Sequence, residues 1–128
     1  MRDPNDPCLF CTPRDVTRQN ALAYAARDSF PLSPGHHLII PFRHVADFFD
    51  LSAQELVACM ELVVAVKEDV AAELAPDGYN VGVNVGPAGG QSILHVHVHL
   101  IPRYAGDHPR PRGGIRHIIP WKADYPRR

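Results

Sequence analysis

Residues 94–101 read Leu-His-Val-His-Val-His-Leu-Ile, three histidines alternating with apolar residues. A period of two is the side-chain repeat of a β-strand. On such a strand His95, His97 and His99 share one face, roughly 7 Å apart, while Val96, Val98 and Leu100 enter a core from the other. The segment just before it, Gly86-Pro87-Ala88-Gly89-Gly90-Gln91-Ser92, is a glycine turn. Its backbone N–H groups can converge on phosphate oxygens. Strand and turn together suit one anionic substrate, or a metal ion and a substrate.

The rest of the chain narrows the class. At 128 residues, 1–128 form one domain with a single core. A net charge of −1 gives no electrostatic footprint for polymeric nucleic acid. Residues 1–7 have no apolar run, so no signal peptide is expected. The longest apolar stretch, 56–66, is interrupted by Glu61 and too short to span a membrane. The expected compartment is the cytoplasm, where three cysteines point to metal binding rather than disulfides. Cys8-Leu9-Phe10-Cys11 is either a redox pair or half of a zinc site, and no strand precedes it as a redox motif requires.

Residues 15–27 are ambiguous: their alanines favour helix, while Leu22, Tyr24 and Ala26 alternate as in a strand. After a turn at 30–35, residues 36–41 read as a short strand closed by Pro41. Ser52 and Glu55 form a capping box that starts a helix, with Leu56, Met60, Val63, Val70 and Leu74 as its apolar stripe. The helix should end near Ala75, and Cys59 should serve as a small core residue. Residues 79–85 alternate as a strand, with Gly82 at a bulge or close approach. They should pair with 94–101 as an antiparallel hairpin. Beyond Arg103 comes a Pro/Gly/Arg-rich loop, with a last short strand expected at 115–120. The fold class is α+β, with an antiparallel sheet of about five strands and one main helix.

His95-Val96-His97-Val98-His99-Leu100-Ile101 resembles the histidine triad signature of the HIT superfamily of nucleotide hydrolases and transferases. Pro34-Gly35-His36-His37-Leu38-Ile39-Ile40-Pro41 is similar to another of its strands, and the resemblance covers residues 8–103, leaving 104–128 as a tail. It implies a HIT-like fold, a strand rather than a helix before Asp28, and a homodimer. It assigns structural zinc to Cys8, Cys11, His44 and His95, a closed site without a Lewis-acid role. Asp28 would contact ribose hydroxyls, and Asn84, Gly90, Gln91 and Ser92 the phosphates. His97 would be the nucleophile, forming a nucleotidyl-histidine intermediate. His99 and His36 would fix its tautomer and handle leaving-group protons.

Transferase and phosphorylase members of the superfamily carry glutamine at the position of His99, so histidine there favours water as acceptor. Arg110, Arg112, Arg116 and His117 offer cations for a long polyphosphate. The expected substrate is therefore a dinucleoside polyphosphate resembling diadenosine tetraphosphate, cleaved at the α-phosphate to release a nucleoside monophosphate. The alternatives are a nucleoside phosphoramidate hydrolase and a nucleotide-binding module with incidental catalysis. A zinc or redox sensor centred on Cys8 and Cys11 is a further rival.

Overall fold

The structure, a computed structural model, describes residues 8–126. The segment 1–7, read above for a leader, lies outside the described residues. A five-stranded antiparallel sheet in the order β1-β2-β3-β5-β4 carries one helix on one face. The strands are β1 (Val16–Gln19), β2 (Ala23–Arg27), β3 (His37–Pro41), β4 (Gly78–Val83) and β5 (Val98–Arg103). The helix α1 spans Ala53–Leu74. Among the described residues no helix is long and apolar enough to cross a membrane.

The ambiguous stretch resolves into two strands. Asn20 makes the turn between them: its Oδ1 accepts the N–H groups of Leu22 and Ala23 at 3.1 and 3.0 Å. Ladders on both sides of β2 and burial on both of its faces override the helix propensity of its alanines. Ala23 and Ala25 face α1, where their small side chains let the helix sit close; Tyr24 and Ala26 face the other way with Leu38 and Ile40.

Ser52 and Glu55 form the reciprocal capping box, and Ala75 ends the helix in the left-handed region at φ 47°. Of the expected helical face, Val70 is buried, but the rest of the face is shifted. Ala58, Cys59, Leu62, Val66 and Val70 meet the sheet, whereas Leu56 and Val63 are half-buried and Met60 and Leu74 exposed. The helix carries two apolar stripes, and the one with smaller residues at its start fits against the alanines of β2. Cys59 is fully buried, as expected, and burial pushes its thiol up to about 11.

Three other expectations are corrected. β5 begins at Val98, not 94, because the N–H of Val96 donates to the Val45 carbonyl (2.8 Å) instead of joining the ladder. Gly82 pairs with His99 in unbroken register; the register shift lies between Val16 and Arg18, while Ile115 lies over Gly82. Residues 115–120 are not a strand: Gly114–Ile118 and Pro120–Lys122 are 3-10 turns. The guanidinium groups of Arg112 and Arg116 lie over the Tyr125 ring, 4.4 and 4.7 Å from its centroid, and hold that tail together.

Arg43 grips the buried Glu55 carboxylate through two hydrogen bonds (3.0 and 2.7 Å), fixing the segment before α1 to its first turn. That ion pair, with the Ser52 amide, holds Glu55 down at about 2. Ser52→Ala is expected to lower stability by about 1 kcal/mol, read from urea unfolding; an unchanged midpoint would show the cap to be idle.

Candidate active site

Two clusters flank the start of β5. In the first, Cys8, Cys11, His44 and His95 bring one donor atom each within 4.8 Å of one another. Cys8 Sγ and Cys11 Sγ lie 3.3 and 3.6 Å from His95 Nδ1, Cys11 Sγ lies 3.3 Å from His44 Nδ1, and the two imidazole nitrogens are 3.2 Å apart. A tetrahedron with zinc's bond lengths has S···N edges of about 3.6 Å and N···N edges of about 3.3 Å. The four residues therefore fit a tetrahedral metal ion. His95 is fully buried, and its Nε2–H donates to the Pro41 carbonyl at 2.7 Å, which leaves Nδ1 for the metal.

The second cluster lines a cleft of about 420 Å³ on the face of the sheet opposite α1. Its apolar wall is Leu9, Phe10, Tyr24, Ala26, Leu38 and Ile40. Asn84, Ser92, His97 and His99 form a polar end, and Arg14, Asp15, Arg27 and Asp28 charge the remaining rim. His97 and His99 both reach this cleft, 5.3 Å between ring centroids, whereas His95 turns away into the metal cluster. The three histidines thus do not share one open face, because only His99 lies on the regular strand.

Backbone groups set the tautomers. His97 Nδ1–H donates to the His95 carbonyl at 2.9 Å, so in the neutral tautomer Nε2 carries the lone pair. His36 Nδ1 accepts the Leu32 N–H at 3.0 Å, so neutral His36 carries its proton on Nε2, 3.0 Å from His99 Nδ1 and 3.4 Å from Asp28 Oδ2. His99 then keeps its own proton on Nε2. His99 and His36 were expected to fix the tautomer of His97; the His95 carbonyl does so, while Leu32 fixes His36 and His36 fixes His99. Asp28, His36 and His99 are close enough to surround a cation. With its Nε2–H donated to His99 Nδ1, His36 keeps the Asp28 carboxylate as a neighbour at 3.4 Å.

Burial dominates the charge states. It lowers His36 and takes His99 to about 4; His97 and His36 add to the drop at His99, and Asp28 opposes it. Both rings are neutral at pH 7.

Of the other expected residues, Asp28, Asn84 and Ser92 line the cleft. Asp28 also makes its turn, its Oδ1 accepting the Phe30 N–H at 2.9 Å. Gln91 is spent on the loop: Oε1 accepts the Gly86 N–H (3.0 Å), and Nε2 donates to the carbonyls of Ala46 (2.7 Å) and Ile93 (3.1 Å). Gly90 is exposed at φ 87° and does not line the cleft. Nor do Arg110, Arg112, Arg116 or His117. The cations on the rim are Arg14 and Arg27, which sequence reasoning missed along with the apolar wall. The alternation Tyr24/Ala26 and Leu38/Ile40 carried the signal for the wall; nothing local marked the arginines.

A HIT domain model matches residues 11–106. The chain is 38% identical to the "AP-4-A phosphorylase" of Mycobacterium tuberculosis over 96 residues, 72% of this chain and 48% of that one. It thus spans about half the length of that relative. An uncharacterized HIT-like protein of Methanocaldococcus jannaschii is 36% identical, covering 78% of this chain and 81% of that protein. Among solved structures, a HIT family protein from Bacillus anthracis aligns with a TM-score of 0.75 at 30% identity, over 80% of this chain and 77% of that one. The Plasmodium falciparum diadenosine triphosphate hydrolase aligns at 0.70 and 25% identity, over 73% and 63%.

The folded His99 value of about 4 lies below the ordinary 6.5. The unfolded chain therefore binds more protons between those values, and stability falls as pH drops from 6.5 towards 4. His99→Gln should lose less unfolding free energy between pH 7 and pH 5 than the parent protein. Equal losses would mean that His99 is not the group held neutral.

Proposed function

Because the chain belongs to the HIT domain family, we propose that it is a nucleotide hydrolase acting at the α-phosphate of a dinucleoside polyphosphate. The observation that carries this reading is the Nδ1–H of His97 tied to the His95 carbonyl, with the ring at the polar end of a cleft whose other wall is apolar. A base would lie against Leu9, Phe10, Tyr24 and Ile40, the ribose near Asp28, and the phosphates near Asn84, Ser92 and His99. Arg14 and Arg27 supply countercharge, in place of the tail arginines.

His97 Nε2 attacks the α-phosphorus, a P–N bond forms, and the P–O bond to the rest of the polyphosphate breaks. His99 Nε2–H donates a hydrogen bond to a phosphate oxygen as charge develops there. Water then attacks the same phosphorus, the P–N electron pair returns to Nε2, and the water's protons pass to solvent. The neutrality of His99 favours this substrate class. A terminal phosphate has a pKa of about 6 and departs unprotonated at neutral pH, whereas an amine must be protonated to leave. Phosphoramidate hydrolysis is the second reading, favoured by the turning of Arg110, Arg112 and Arg116 away from the cleft.

The four-residue cluster is proposed to hold zinc structurally: four protein ligands fill a tetrahedron, and two thiolates suit a reducing cytoplasmic setting. Gln91 and Gly90 act through the shape of the loop. A homodimer is supported by the second stripe of α1, where exposed Val57, Met60 and Val64 form a shallow apolar groove with half-buried Leu56. The open edge of β4 adds to it. Met60→Glu should then sediment as a monomer; a parent protein already monomeric would end the dimer proposal.

Incubation with diadenosine tetraphosphate should yield AMP and ATP, with activity at least about a hundredfold lower in His97→Ala. Faster cleavage of adenosine phosphoramidate would move the protein to the second reading. Binding without cleavage of either would make it a binding module.

A further inference from the structure

The two cysteines of the metal cluster are separated only by Leu9 and Phe10, and that dipeptide is also part of the cleft wall. Residues Leu9–Cys11 form a single 3-10 turn, closed by the Cys11 N–H on the Cys8 carbonyl at 3.2 Å. The turn presents its sulfurs to His95 and His44 and its apolar side chains to the cleft. The Phe10 ring meets the His97 ring edge-on with centroids 5.0 Å apart, and the His95 ring at 6.3 Å. It packs against the buried group of Tyr24, Ala26, Leu38 and Ile40, and its carbonyl accepts the Tyr24 hydroxyl at 2.6 Å. His97 Nδ1–H is also held by the carbonyl of His95, one of the four cluster residues.

We propose that Phe10 is a positioning residue that couples metal occupancy of the Cys8–Cys11–His44–His95 cluster to nucleotide occupancy of the cleft. It does so by holding the His97 ring from the turn that carries two of the cluster's sulfurs, while the His95 carbonyl holds its Nδ1–H. This rests on the nucleotide reading above and adds to it a dependence that a purely structural metal would lack. A tetrahedral ion draws residues 8–11 onto His95, and the same movement seats Leu9 and Phe10 in the wall of the cleft. A nucleotide packed on that wall stabilises the turn in return. Whatever the metal adds to nucleotide affinity, the nucleotide must add to metal affinity by the same factor.

Two equilibria on the zinc-loaded protein test this without any turnover. One is competition for zinc by a chromogenic chelator, with and without saturating AMP. The other is AMP affinity by calorimetry for the zinc-loaded and metal-stripped protein. AMP should raise zinc affinity by about fivefold or more, and stripping should weaken AMP binding by the same factor. Phe10→Ala should keep one zinc per chain while both factors collapse towards one, and Phe10→Tyr should restore them, a pattern that general loosening of the fold would not produce. The parent-protein comparison stands even if Phe10→Ala fails to fold. AMP binding that leaves zinc affinity unchanged would overturn the inference alone, as would a Phe10→Ala protein that retains the coupling. Absence of AMP binding to zinc-loaded protein would instead remove the nucleotide reading, and this inference with it.

Discussion

The site depends on where His95 is held. The residue is fully buried, its Nε2–H is committed to the Pro41 carbonyl, and its Nδ1 faces two sulfurs and the His44 ring. A buried imidazole without such partners would be costly. With them, its main-chain carbonyl becomes a fixed acceptor for His97 Nδ1–H. One residue thus joins the end of β3, the first turn of the described chain and His97. The Arg43–Glu55 pair adds α1 to that set, since Arg43 immediately precedes His44.

Around that anchor the chain separates two chemistries along one cleft. The apolar wall comes from alternate residues of β2 and β3, whose other faces are buried against α1. The polar end comes from β5 and the irregular stretch before it. Desolvation there works against charge on His36 and His99, so these two imidazoles act as oriented dipoles rather than as cations. Positive charge is left to the arginines of the rim. For the phosphoanhydride proposed as substrate, this division supplies oriented donors rather than a strong acid.

The loop between β4 and β5 shows how glycine and glutamine cooperate. A Cβ on Gly89 would collide with the Val85 carbonyl oxygen, so the turn is open only to glycine there. Gln91 then ties the turn to Gly86, Ala46 and Ile93. Ser92 is held at the edge of the cleft, while the side chain that resembled a phosphate ligand serves the scaffold.

Local sequence determined a good part of this. The capping box of Ser52 and Glu55, the strand closed by Pro41, and the buried Cys59 follow from short-range rules, because caps, proline and small apolar residues act within one turn or one strand. The alternation of residues 94–101 marked the functional stretch, and the resemblance to the histidine triad named its partners. What tertiary structure alone decided lies where several segments compete for the same groups. The N–H of Val96 went to Val45, so the strand shortened and His95 turned inward. Leu32 and the His95 carbonyl, neither visible as functional in the sequence, chose the tautomers. The alanines of β2 chose which stripe of α1 is buried, and Tyr125 took the tail arginines away from the cleft. Periodicity fixes which residues alternate, but hydrogen-bond partners and packing across the sheet are settled only when distant segments meet.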